Sequence, residues 1–143
     1  MKLTRKTQYA VRAMLYLSLK QEQDRILAKD IADKMNIPKQ FLAQVMLSLK
    51  RAGYVRAIRG ANGGFALAKP PVEISLRDVI ETIEGEVCIH DCLFEENICE
   101  YLDVCSIREV WQEAQRNMLS VFSKTNFKDL ANNFKTKKAA ILT

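Results

Sequence analysis

The chain has 143 residues, 48% of them hydrophobic. That is the size of one compact domain with an appended arm, with enough apolar material for a core, which excludes an intrinsically disordered polypeptide. The net charge of +5 hides a strong segregation: residues 1–69 hold 14 Lys and Arg against 4 Asp and Glu, residues 70–113 hold 2 against 12, and residues 114–143 hold 6 against 1. A positive field concentrated in the first half suits the docking of a polyanion.

Lys2, Arg5 and Lys6 precede an apolar run from Tyr9 to Leu19, as in a secretory leader. Arg12 interrupts the run, however, and no small-residue cleavage site follows before Lys20. No stretch approaches bilayer-spanning length. The expectation is a cytoplasmic protein without membrane association, whose four cysteines act as ligands or redox groups rather than structural disulfides.

In chain order, Ala10, Ala13, Met14 and Leu17 stand at helical spacing and predict a helix over residues 7–21. Ala28, Ile31, Ala32 and Met35 predict a second, short one, broken at Asn36-Ile37-Pro38. Pro38 suits the first turn of a third helix, which buries Leu42, Val45, Met46 and Leu49 and ends at Gly53. Two strand-like runs follow, Tyr54–Ile58 and Phe65–Leu67, joined by Arg59-Gly60-Ala61-Asn62-Gly63-Gly64. The Asn-Gly pair and the added glycines offer the positive backbone angles of a hairpin loop.

A fourth helix is predicted from a Ser75 cap to about Glu84. Residues 85–106 lack periodicity and contain all four cysteines: Cys88, Cys92, Cys99 and Cys105. A long helix over roughly 104–124 carries an apolar stripe of Ile107, Val110, Trp111, Ala114, Met118, Val121 and Phe122. A last short helix, near Phe127 to Phe134, precedes a basic tail.

Three helices and a glycine-tipped hairpin give the order of a winged helix-turn-helix, whose third helix enters the major groove of DNA. Lys39, Gln40 and Gln44 lie on the outward side of that helix, and glutamine matches adenine edges while lysine reaches guanine or phosphate. Arg59, at the base of the wing, suits the negative potential of a narrow minor groove. The stretch from Gly60 through Asn62 and Gly63 to Gly64 allows close approach of backbone to the duplex.

These segments resemble the IscR/NsrR family of bacterial regulators. The resemblance rests on Met1-Lys2-Leu3-Thr4, Tyr9-Ala10-Val11, Ala13-Met14-Leu15, Ile31-Ala32, Ile37-Pro38, Gln44, Leu49, Gly53 and the wing from Val55 to Phe65. It covers nearly the whole chain, with wing, cysteine loop and long Trp111-bearing helix in the family's order. It implies a homodimer with its long helices packed together and its wings spanning a roughly palindromic double-stranded operator. Arg59 would then lie in the minor groove, with Gln40 and Gln44 at recognition-helix contacts.

Cys92, Cys99 and Cys105 are spaced C-x6-C and C-x5-C. Thiolates at such intervals on a loop can hold iron and sulfur, and zinc also accepts cysteines, though more often from closer pairs. The resemblance favours an iron–sulfur cluster, of 2Fe–2S or 4Fe–4S type. Its fourth ligand stays open. Ser106, Ile107 and Arg108 follow Cys105 where some relatives carry a histidine, and Gln8 and Arg12 stand where others take a ligand from the partner's first helix. Cys88, His90 and Asp91 are the candidates within the loop.

The predicted architecture is therefore mainly α with a small β-hairpin wing, a winged helix-turn-helix joined to a long dimerisation helix. Residues 1–70 form the DNA-binding domain, 71–103 a connecting helix and sensor loop, and 104–143 the dimerisation helix and C-terminal segment. The predicted function is sequence-specific transcription regulation, as a repressor set by cluster state. A cluster-free regulator controlled by thiol redox or by a partner protein is the alternative. One histidine, with no partner to orient it beside Cys88 or Cys92, argues against an enzyme.

Overall fold

The computed structural model describes residues 2–61 and 63–142. Among them run the helices α1 (Arg5–Leu19), α2 (Ala28–Met35) and α3 (Lys39–Arg51), the strands β1 (Val55–Ile58) and β2 (Gly64–Leu67), and the helices α4 (Leu76–Glu84), α5 (Ser106–Lys124) and α6 (Phe127–Leu142). Short 3-10 turns occupy Pro71–Glu73, Asp91–Leu93 and Leu102–Val104. The architecture is the expected one, mainly helical with a two-stranded antiparallel wing.

Three helix ends have a clear local cause. The Thr4 hydroxyl accepts the Thr7 N–H and caps α1. Asn36 takes a left-handed conformation (φ 52°) and stops α2. The Ser75 hydroxyl accepts the Asp78 N–H while Asp78 accepts the Ser75 N–H, a reciprocal capping box that starts α4.

The core gathers on α1. Ala10, Ala13, Met14 and Leu17 are buried against Ile31, Leu42, Val45, Met46, Leu49 and Val79. Alanines at two of the four α1 positions let the packed helices approach closely. Phe127, fully buried at the start of α6, is the largest side chain of this core. It is brought there by a short antiparallel stitch: Leu76 N–H donates to Thr125 O at 2.8 Å and Phe127 N–H to Ile74 O at 3.0 Å.

Three expectations need correction. The last helix does not stop near Phe134 but runs to Leu142, so Lys135, Lys137 and Lys138 lie on a helix rather than in a tail. No glycine or proline interrupts residues 127–142, so the basic composition suggested an end where no breaker exists. The cysteine loop, expected to be irregular, contains two 3-10 turns, and α5 begins at Ser106 rather than 104. The first helix occupies 5–19 rather than 7–21, because Thr4 supplies its cap.

Candidate nucleic-acid interface and cysteine cavity

In the wing, Val55 pairs with Leu67, Arg56 with Ala66, Ala57 with Phe65 and Ile58 with Gly64. A third segment joins through Ile26, whose N–H donates to Phe65 O at 2.7 Å and whose carbonyl accepts the Phe65 N–H at 2.8 Å. This tie explains Gly64, where an added Cβ would stand 2.4 Å from Ile26 O. At Gly63 a Cβ would stand 2.4 Å from Ile58 O, while the Gly63 N–H closes the tip onto Gly60 O at 3.0 Å.

In the wing, therefore, only Gly60 among the described glycines uses a positive angle (φ 121°). Gly63 and Gly64 are required by close approach inside the wing, not by backbone sign as the sequence suggested. Asn62 lies outside the described residues.

The exposed side of α3 carries Lys39, Gln40 and Gln44, and Arg59 is exposed at the base of the wing. The sequence reading missed that Ala43 and Leu47 share this outward face, Leu47 being 45% exposed. Their i, i+3, i+4 relation to Gln40 and Gln44 was legible, but apolar type alone assigned Leu47 to no face. A shallow, mostly apolar cleft lined by Ala28, Lys29, Lys39, Leu42, Ala43 and Phe65 joins α2, α3 and the wing on this side. Polar hydrogen-bonding groups beside small apolar ones are what base edges and thymine methyl groups demand.

The loop after α4 is fastened at several points. Ile89 N–H donates to Gln115 Oε1 at 2.9 Å, and Arg108 Nε donates to Cys92 O at 3.3 Å, both from α5. Glu84, at the end of α4, accepts the Thr4 N–H and the Thr4 hydroxyl through Oε1, each at 2.8 Å, and the Thr7 hydroxyl as well. These bonds hold its carboxyl below the ordinary glutamate range, the Thr7 hydroxyl contributing most and the Thr4 backbone next, against a smaller opposing effect of burial. Neither threonine was read as a partner of Glu84, because 77 residues and more separate them.

Cys92, Cys99 and Cys105 line one apolar cavity of about 200 Å³, together with His90, Arg108 and Trp111. Cys88 is outside that lining, its thiol turned to His90 O at 3.0 Å. The His90 Nδ1 accepts the Cys92 N–H at 3.2 Å, and Asp91 is exposed. Gln8 and Arg12 are exposed on α1, the Arg12 guanidinium standing 5.8 Å from the Tyr9 ring centre. The donor set suits a soft metal group, but among the described residues no three His, Cys, Asp or Glu side chains are gathered tightly enough to hold a metal ion. The side chains share a cavity without forming a closed site.

Beside the cavity, α5 has no buried residue, and Ile107, Val110, Trp111, Ala114 and Val121 are exposed along it. Met118 and Phe122, expected in the same stripe, are half-buried on the side that packs within the chain.

The profile of the family Rrf2, described as an iron-dependent transcriptional regulator, matches residues 3–133. The chain belongs to the Rrf2 family. Among its relatives, the transcriptional regulator NsrR of Bacillus licheniformis is 34% identical over 134 residues, covering 93% of this chain and 94% of that one. Among solved structures, CymR, the global cysteine regulator of Bacillus subtilis, superposes with a TM-score of 0.80 at 28% identity, covering 93% of this chain and 98% of that one. The IscR of T. potens superposes at 0.75 and 25% identity, covering 93% and 88%. This Rrf2 chain is accordingly a DNA-binding transcription regulator and not an enzyme. No helix among its described residues is long and apolar enough to cross a membrane.

Proposed function

We propose that the protein acts as a homodimeric repressor whose two heads grip a roughly palindromic operator and whose DNA affinity is set by an iron–sulfur cluster on Cys92, Cys99 and Cys105. The observation that carries the sensing half is that these three thiols line one cavity while Cys88 does not. His90 lines the same cavity, but its Nδ1 accepts the Cys92 N–H, so the neutral ring carries its proton on Nε2 and would have to give up that hydrogen bond to serve as a fourth ligand. When bound, a cluster supplies a rigid, oxidant-sensitive node joining three points of the loop. Arg108 holds the loop backbone at Cys92, Gln115 holds it at Ile89, and Glu84 ties the helix before it to α1. A change in loop shape thus has a direct mechanical route to the DNA-binding head.

The dimer half rests on the exposed stripe of α5. Val110 and Val121 are 59% and 62% exposed, in a stripe of 3- and 4-residue steps that fits the seam between two antiparallel or crossing helices. On DNA, Lys39, Gln40 and Gln44 would meet base edges from α3. Arg59, Gly60 and Gly63 would bring the wing to the minor groove.

Likeness to CymR, a cysteine regulator by its description, and the ungathered thiols favour a second reading, in which the same DNA-binding dimer responds through thiol oxidation or a partner protein without any cluster. Purification without oxygen decides between them. Visible absorption with matching iron and sulfide, lost in Cys92→Ser and kept in Cys88→Ser, supports the cluster. Colourless protein with stoichiometric zinc, or DNA affinity responding to peroxide with no chromophore, overturns it.

A further inference from the structure

A second cavity, of about 340 Å³ and with no α3 residue in its lining, lies where the end of α1, the end of α2 and α6 meet. Its floor is apolar and aromatic, from Tyr16, Leu19, Met35 and Phe134, and its rim carries Lys20, Lys34, Lys135 and Lys138. It shares no lining residue with the cysteine cavity, and only α2 takes part in both it and the cleft beside α3. We infer that this cavity binds a small amphipathic anion, a compound with a flat or branched apolar body and at least two negative charges on carboxylate or phosphate groups.

The electrostatics favour that class over a neutral or cationic one. Among the described residues the salt bridge is Arg77–Glu81, so none of the four rim lysines is neutralised by a carboxylate. The carbonyl ends of α1 and α2 point this way and each presents about half a negative charge. Asp30 acts on Tyr16, whose hydroxyl is held above the ordinary tyrosine range mainly by burial and secondarily by that carboxylate. Four ammonium groups outweigh these contributions by about two units of charge, and no acidic side chain lines the cavity.

The floor excludes a purely ionic occupant. Phe134 stays 38% exposed and lines the cavity together with Tyr16, Leu19 and Met35, an apolar surface that an occupant's body would cover. The volume lies within the range of small-molecule pockets, roughly 300–1,000 Å³. Because α6 lines one wall and the DNA-binding head the other two, an occupant would bridge them. The inference is independent of the cysteine chemistry.

Titration calorimetry with 4-nitrophenyl phosphate, an aromatic dianion, tests it on the full chain, with inorganic phosphate and 4-nitrobenzyl alcohol as charge-only and body-only controls. The dianion should saturate one site per chain and shift the Met35 methyl resonance, with each control at least about tenfold weaker. Lys135→Gln with Lys138→Gln, and separately Phe134→Ala, should each weaken it about tenfold or more while the far-ultraviolet spectrum stays unchanged. Equal binding of inorganic phosphate, indifference to both variants, or no binding at all would overturn the inference. So would a parallel loss of duplex affinity in the lysine variant, since the rim would then belong to the DNA surface.

Discussion

Replacing Thr7 with valine removes one hydroxyl and keeps the branched shape of a fully buried side chain. The lost hydroxyl is the strongest of the three groups that donate to Glu84 Oε1, and the two from Thr4 are solvent-exposed. A net hydrogen bond to a charged partner is worth roughly 1.5–3 kcal/mol, and discounting for solvent screening leaves about 1–2 kcal/mol for Thr7→Val. For a chain of this length that is a fall in melting temperature of about 3–7 °C, at fixed protein concentration.

The pH dependence has a definite sign. The Glu84 carboxyl is lowered in the folded state, so its contribution is complete above the unfolded glutamate value and disappears as pH falls through the folded one. The gap between parent and variant should therefore be constant around neutrality and close below about pH 4. Calorimetric melts at several pH values measure it. A variant that melts with the parent at pH 7, or a gap that persists undiminished to pH 3, would refute the role given to this bond.

Four further outcomes follow from the same geometry. Arg59→Ala should weaken operator binding and flatten the logarithmic salt dependence by about one unit per head, measured by fluorescence anisotropy across salt; an unchanged slope removes Arg59 from the interface. On the proposed homodimer, Val110→Glu should give a monomer in sedimentation velocity where the parent is a dimer, and an intact dimer would place the seam elsewhere. Gly63→Ala forces a Cβ to within 2.4 Å of Ile58 O, so it should weaken DNA binding through a distorted wing while the helical melt is nearly preserved. Phe127→Ala should cost about 3–5 kcal/mol, the range for large aromatic deletions in a packed core, read from denaturant midpoints.

The helices that build the head were legible because their apolar residues repeat at the helical period, with Asn36 marking the end of α2 and Ser75 the start of α4; the Thr4 cap was not read, so the first helix was placed two residues late. The wing was legible from its glycines, yet the reason for Gly63 and Gly64 was not. It depends on the approach of Ile58 and Ile26 backbone, which no local pattern encodes. Ala43 and Leu47 were missed for a related reason: apolar side chains off the buried stripe were assigned no role until their exposure beside Gln40 and Gln44 was seen. The three thiols could be counted, but that Cys88 turns to a carbonyl while the other three line a cavity depends on the turns at Asp91–Leu93 and Leu102–Val104. Phe127 gave no periodic signal of its importance, since a stitch formed with Ile74 and Leu76, more than a third of the chain earlier, carries it inward.

That stitch sets the start of α4 beside the end of α5, Leu76 N–H and Thr125 O being hydrogen-bonded, so the stretch between the packed helix α4 and α6 leaves and re-enters the body at clamped points. Lengthening or shortening a segment whose two roots are already clamped costs little beyond the weak logarithmic entropy of a longer loop. The cysteine-bearing stretch can thus change in size and ligand pattern without disturbing where α6 is planted. A single DNA-gripping chassis could in this way accept differently tuned detectors.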